Sequence, residues 1–303
     1  MTEKRTVQIK VPCSTSNLGS GFDTVSAALG LYLTLRVTVE RGNRRKWTFC
    51  GEIPPDNIID RALQSALQYL EVEPVALHIE VDNPIPLKRG LGSSGAAIIG
   101  GIKLAEWLSG KALDDSQILN LAFPLEGHPD NVAASLLGGW VISRVDSDRI
   151  AAERLKSALE ARFVVCVPEV EVSTAEARKI LPSGYSLEDV AYNLQRIALL
   201  VYALEAGRGE LLKEATQDRI HQPYRARLVP GADRVLSLKG IPPELERCVL
   251  SITISGSGST MLALVDGQED AVGKWMVGNF RCEGIQSRYM VLQPDRQGAR
   301  MLG

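Results

Sequence analysis

Residues 85–97, Ile-Pro-Leu-Lys-Arg-Gly-Leu-Gly-Ser-Ser-Gly-Ala-Ala, decide how the rest of the chain is read. Gly90, Gly92 and Gly95 let the backbone take positive φ and approach a ligand closely. Ser93 and Ser94 bring hydroxyls to the point where an apolar helix begins. Unpaired N–H groups and the positive end of the helix dipole favour phosphate there. A serine hydroxyl at that point can also reach the Mg2+ that accompanies a nucleotide. Lys88 and Arg89 add positive charge. A serine-capped helix after a glycine-rich turn is the plain structural alternative. The segment is neither a Walker A loop, which needs G-K-[ST], nor a dinucleotide G-x-G-x-x-G.

Working outward, the helix this segment opens runs over 94–108 and stops at Ser109-Gly110, a usual C-terminal signal. A second helix fits 57–70, where Ile58, Ile59, Leu63, Ala66, Leu67 and Leu70 keep helical spacing. Period-two alternation marks strands at Val7-Ile9-Val11, over 31–39 and over 75–81. The charged, Ala-rich stretch 150–161 is the candidate domain boundary, and an apolar strand follows over 162–167. Ser173-Thr174-Ala175-Glu176 has the form of a capping box opening a short helix that ends before Pro182. A longer helix spans 186–206, closed by Gly207, and strands at 248–254 and 261–265 flank the glycine-rich turn 255–260. Strands and helices mix without strict βαβ alternation, which predicts an α+β fold. At 303 residues, two domains are expected.

Composition narrows the function classes. A hydrophobic fraction of 45% with 23% charged residues is that of a globular protein. A net charge of -2 offers no general attraction to nucleic acid or an anionic membrane, so neither is expected as a partner. No stretch approaches the roughly 18 apolar residues of a membrane span, and the N-terminus reads as a strand rather than a signal peptide. Five scattered cysteines without a CxxC pair predict mostly buried, reduced thiols and a cytoplasmic setting. Three histidines with no close Cys/His spacing speak against structural zinc.

Two further segments carry polar chemistry. Glu126-Gly-His-Pro-Asp-Asn131 precedes an apolar run, and Pro129 suits the start of a helix with Asp130 and Asn131 in its first turn. A Mg-nucleotide enzyme needs a hard oxygen ligand and a residue that orients the attacking hydroxyl. Glu126 suits the first role, Asp130 with Asn131 the second. Pro12-Cys-Ser-Thr-Ser-Asn-Leu-Gly-Ser-Gly-Phe-Asp23 reads as a long polar loop between strands, with Asn17 and Asp23 as candidates for a ligand amine or hydroxyl.

Together these segments resemble the three motifs of the GHMP kinases, whose phosphate loop is P-x-x-x-G-L-G-S-S-[GA]-A and whose third motif is similar to Ser255-Gly-Ser-Gly-Ser-Thr260. The homoserine kinase family is the most similar within that superfamily. Residues 12–23 resemble its P-A-S-S-A-N-L-G-P-G-F-D, residues 126–131 match E-G-H-P-D-N, and residues 173–178 resemble S-T-x-x-A-R. Residues 218–225, Asp-Arg-Ile-His-Gln-Pro-Tyr-Arg, resemble its D-R-I-H-Q-P-Y-R. The matches run in order from residue 12 to about 260. Departures are Ser20 and Ser259 for prolines, Ser26 for glycine, Gly95 for a frequent alanine, and Lys88 where a small residue is usual.

The resemblance implies a two-domain α+β kinase. Residues 1–157 would form an ATP-binding domain like ribosomal protein S5 domain 2, and residues 158–303 a ferredoxin-like domain. It implies that Pro86, Leu87, Lys88, Arg89, Gly90, Leu91, Gly92, Ser93, Ser94, Gly95, Ala96 and Ala97 wrap the phosphates of ATP, with Ser94 and Glu126 on Mg2+. Asn57 and Ile58 are candidates for the adenine pocket. Asn17, Asp23, His128, Asp130, Thr174, Arg178 and Arg225 would surround L-homoserine, with Asp130, Asn131 and Arg178 taking part in catalysis. Planar Arg178 and Arg225 suit a carboxylate clamp, and Asp23 or Asp130 could accept the ammonium. A homodimer is usual in the family. A kinase of another alcohol, or a non-catalytic nucleotide-binding protein of the same fold, are the competing readings.

Overall fold

The computed structural model describes residues 5–40, 42, 44–51, 56–73, 75–147 and 149–302. The chain opens with β1 (Thr6–Asn17), β2 (Gly21–Val39), β3 (Arg45–Cys50), α1 (Ile58–Tyr69) and β4 (Leu77–Asp82). Then come α2 (Ser93–Ser109), α3 (Asp115–Glu126), α4 (Asp130–Leu137), β5 (Trp140–Asp146) and β6 (Arg149–Arg154). The second half holds β7 (Arg162–Pro168), α5 (Thr174–Lys179), α6 (Leu187–Ala206), α7 (Leu212–Ala215), α8 (Gln222–Arg225), α9 (Ala232–Leu236) and α10 (Pro243–Glu246). It closes with β8 (Val249–Ile254), β9 (Met261–Val265), α11 (Glu269–Cys282), β10 (Ser287–Leu292) and β11 (Arg300–Leu302).

Among the described residues the strands form two sheets. The first is seven-stranded, in the order β11-β1-β2-β4-β3, with β5 pairing β2 and β6. The 19-residue β2 makes this possible, since Val25–Ala27 pair with β5 and Thr34–Val39 with β4. The second sheet is four-stranded and antiparallel, in the order β10-β7-β9-β8. With helices between β7 and β8 and between β9 and β10, this is the ferredoxin-like arrangement. The fold is α+β, as the sequence predicts.

Burial explains why these segments fold as they do. In β7, Phe163, Val165 and Val167 join the large core that also holds the first sheet and α1 to α4. Val164 and Cys166 face a second core with α11. Trp140 of β5 and Phe163 of β7 sit 5.4 Å apart and tie the sheets together. Two helix ends fall where the sequence puts them, Gly110 after α2 and Gly207 after α6, and Asn57 caps the start of α1.

Three expectations need correction. The stretch 150–161, read as unpatterned, begins as β6 (Arg149–Arg154), an edge strand whose polar side chains face outward while Ile150 is buried. Residues 12–17 are strand rather than loop, with a turn only at 18–20. The last strand also leaves the second unit and pairs with β1, Ile9 opposite Met301, so the first sheet draws on both ends of the chain. Asp295 anchors that return. Its side chain accepts from Gly298 N at 2.7 Å and Tyr32 Oη at 2.8 Å, and Ala299 N donates to Leu136 O at the end of α4. Of the cysteines, Cys13 and Cys166 are buried, whereas Cys50 and Cys282 are exposed and Cys248 is intermediate. No described helix is long and apolar enough to cross a membrane.

Candidate active site

The glycine-rich segment expected to cradle phosphates, called the cradle below, sits between β4 and α2. Asn83 shapes its entry, accepting from Ile85 N at 3.2 Å and donating to Ser93 Oγ at 3.1 Å. Gly92 is the N-cap of α2 in the left-handed region (φ 65°), and no side chain caps the helix. The first-turn N–H groups are therefore free for an anion. A Cβ on Gly92 would lie 2.0 Å from Ser14 Oγ and 3.0 Å from Asn131 Oδ1, so only glycine lets the cradle meet β1 and α4 this closely.

Across the cradle, Ser94 Oγ donates to Glu126 Oε2 at 2.7 Å. Glu126 is the last residue of α3, and its side chain is only 7% exposed; burial pushes its carboxyl above the ordinary range, partly offset by the Ser94 hydrogen bond. Among the described residues no cluster of three His, Cys, Asp or Glu forms a metal cage. Two hard oxygens on a desolvated carboxylate and a hydroxyl, beside a phosphate cradle, nevertheless fit Mg2+, which takes few protein ligands and completes its shell from phosphates and water.

Helix α4 brings in Asp130 and Asn131. Asp130 is buried, and burial first, then the nearby charge of Asp23, raises its carboxyl above the ordinary range. Its Oδ1 accepts from Asn131 N at 2.7 Å and Asn131 Nδ2 at 3.2 Å, leaving Oδ2 for a ligand. Asn131 is held at both ends of its amide, accepting from Ser14 Oγ at 3.0 Å and donating to Ser16 Oγ at 3.2 Å. An amide so fixed orders α4 against β1; it transfers no proton. Ser26, fully buried, donates to Asp130 O at 2.9 Å and fixes the same helix start from β2.

The third wall comes from the second unit. A Ser173–Glu176 capping box starts α5, which places Thr174 and Arg178 four residues apart on one face. Asp218 accepts from the backbone of Ile220, His221 and Gln222 at 2.9, 2.9 and 2.6 Å and so sets α8, which carries Arg225. Arg178 Nη2 donates to both Asp23 oxygens, at 2.8 and 2.9 Å. Arg225 is buried and donates to Gly256 O at 2.9 Å and Ala177 O at 3.3 Å. Phe22 lies beneath both guanidinium groups, 5.7 Å from that of Arg178 and 5.1 Å from that of Arg225, and stacks on His221.

One cavity of about 230 Å³ gathers most of the expected residues: Asn17, Asp23, Pro86, Lys88 through Ser94, Glu126, His128, Asp130, Asn131, Thr174, Arg178 and Arg225 all line it. Leu87, Gly95, Ala96 and Ala97 do not; the last three are buried within α2. Asn57 and Ile58 lie outside it too, since the Asn57 side chain accepts from Asp60 N as the cap of α1 and Ile58 packs on the core. Asn17 lines the cavity but spends its amide on the fold, donating to Gly256 O at 2.8 Å and accepting from Asp23 N at 2.9 Å. Asp23 is already paired with Arg178, so Asp130 is the carboxylate with a free oxygen. Sequence reading misses Ser14, Ser16 and Phe22, although all three lie within the quoted first motif.

A phosphate cradle, a hard-oxygen pair and an α+β fold of these two sheets define the class, the GHMP kinases. The family model for the GHMP kinases N terminal domain matches residues 57–139. The chain is 37% identical over 297 residues to homoserine kinase from Moorella thermoacetica, covering 96% of this chain and 98% of that one. It is 41% identical over 286 residues to homoserine kinase from Thermus thermophilus, covering 94% and 95%. The crystal structure of homoserine kinase from Cytophaga hutchinsonii superposes with a TM-score of 0.87 at 27% identity, covering 100% and 99%. The chain belongs to the homoserine kinase family of phosphotransferases, and as a kinase it uses ATP.

Proposed function

We propose that the protein transfers the γ-phosphoryl group of ATP to the side-chain hydroxyl of L-homoserine, giving O-phospho-L-homoserine and ADP in threonine biosynthesis. The observation that carries this reading is a single cavity with the phosphate cradle and the Ser94–Glu126 pair on one side and Asp130, Arg178 and Arg225 on the other. In this proposal Gly90 to Ser94 hold the phosphates, and Ser94 and Glu126 hold Mg2+, which supplies charge neutralisation when bound. Arg178 and Arg225 face the substrate carboxylate, while Asp130 Oδ2 accepts from the substrate and fixes its pose, with His128 and Thr174 beside it. Phosphoryl transfer gains most from placement and electrostatics, so no strong general base is required. Arg178 would then share its guanidinium between Asp23 and the ligand. A cytoplasmic setting and a homodimer belong to the same proposal, and sedimentation tests the dimer.

A coupled assay of ADP release tests the reaction, with homoserine, mevalonate and galactose as acceptors in the presence and absence of Mg2+. Turnover with homoserine alone is the expected result. Equal or faster turnover with mevalonate or galactose would overturn the substrate, and no turnover with any acceptor would overturn the enzyme.

A further inference from the structure

Lys88, beside Arg89, belongs to the segment expected to wrap the phosphates of ATP. It lines the active-site cavity, and its backbone is left-handed (φ 51°), a conformation that residues with a Cβ avoid. Such outliers persist where the surroundings hold them and concentrate at ligand clamps. The surroundings here are two backbone links to the second half of the chain, whose own segments are tied together by a third bond. Val172 N donates to Lys88 O at 3.4 Å and Thr260 N donates to Arg89 O at 3.2 Å, while the Ser259 hydroxyl donates to Val170 O. Glu171 sits in the middle of this bracket. One of its oxygens lies 3.5 Å from Lys88 Nζ and the other 3.6 Å from Arg89 Nη1, so one carboxylate spans two cations. The side chains of Lys88 and Glu171 are 59% and 58% exposed, whereas that of Arg89 is 18%. An ion pair this open is screened and weak, hence readily exchanged for another anion.

We propose that Glu171 is an internal competitor of the nucleotide for Lys88 and Arg89, the two cations of the phosphate-wrapping segment. The carboxylate holds the two cations at the cavity mouth until the polyphosphate of a nucleoside triphosphate replaces it. The inference rests on the reading of residues 85–97 as an ATP cradle. Binding a triphosphate brings up to four negative charges to cations that otherwise share one, so displacement favours the more highly charged nucleotide. Glu171 therefore lowers affinity for triphosphate more than for a ligand with fewer charges.

The test is calorimetric titration of the full-length protein with a non-hydrolysable ATP analogue and with AMP, both with Mg2+, alongside KM for ATP. Glu171→Gln is expected to tighten triphosphate binding about threefold to fivefold, the range an exposed ion pair allows, with AMP affinity and kcat unchanged. Lys88→Ala weakens triphosphate binding by a similar factor, and Glu171→Gln gains less in the Lys88→Ala background because the two residues act as a pair. Melting curves confirm that each variant is folded. Unchanged or weaker triphosphate binding in Glu171→Gln would overturn the proposal, as would the same gain with and without Lys88. If that result came from a protein that still phosphorylates homoserine, only the competitor role would fall. A parent protein that binds no triphosphate would sink the cradle as well.

Discussion

Replacing Gly92 with alanine isolates what the phosphate cradle demands of its backbone. The added Cβ must adopt φ 65° and would sit 2.0 Å from Ser14 Oγ, which is itself buried and bonded to Asn131. A left-handed conformation costs a residue other than glycine about 1–2 kcal/mol. Turning Ser14 off its rotamer costs about 0.5–1.5 kcal/mol, and losing its hydrogen bond about 1 kcal/mol more. The total is about 2.5–4.5 kcal/mol, which for 303 residues lowers Tm by roughly 4–7 °C. Gly110, at the other end of α2, supplies the control: it has φ 66° and nothing within 4 Å of where its Cβ would be. Gly110→Ala should therefore show the conformational cost alone, roughly 2–3 °C. Thermal unfolding of the two variants, with KM for ATP measured in parallel, separates strain from crowding. Equal Tm losses in both, with an unchanged KM in Gly92→Ala, would refute the contact between cradle, β1 and α4.

Other predictions concern the charged groups. Burial raises the Glu126 carboxyl in the folded state, so its ionised form opposes folding. That penalty is absent at pH below the carboxyl's unfolded value and complete above its raised one. Glu126→Gln should therefore raise the Tm of the nucleotide-free protein more at pH 8 than at pH 5, while Mg-dependent kcat falls at least ~100-fold. Arg178→Ala should raise KM for homoserine by roughly 10–100-fold, the worth of a charged hydrogen bond, with little change in KM for ATP. Ser26→Ala removes the bond to Asp130 O and should cost about 1 kcal/mol, read as a small fall in Tm together with a higher KM for homoserine.

Helical spacing of apolar residues found α1, and the glycine stops Gly110 and Gly207 bounded α2 and α6. Helix α3 goes unread, although it opens on an Asp114–Gln117 capping box; Pro124 lies inside it. The end of β1 is misread for a different reason: Ser14, Thr15 and Ser16 are fully or almost fully buried, so hydrophobic alternation vanishes where the strand serves the site. Motifs identified nearly every residue lining the cavity, yet not what each one touches. Asn131 lines the cavity with its amide fixed between Ser14 and Ser16, while Asp23 meets Arg178 across 155 positions of chain, a pairing no local pattern encodes.

The return of residues 295–302 to the first sheet sets a clock for synthesis. Asp130 leaves the ribosome 165 residues before Asp295 (295 − 130), an interval of about 10–30 s at ordinary elongation rates. Throughout that interval the far end of α4 lacks its partner at Ala299, and the outer edge of β1 has no neighbouring strand. A nascent chain can thus assemble most of its apolar interior while its substrate-facing helix is still unsecured and one strand edge stays open to chaperones or to misplaced pairing. Translation arrested short of residue 295 would yield a polypeptide with the cradle's residues present and their scaffold unlocked, a product that quality control can distinguish from the finished enzyme by that open edge.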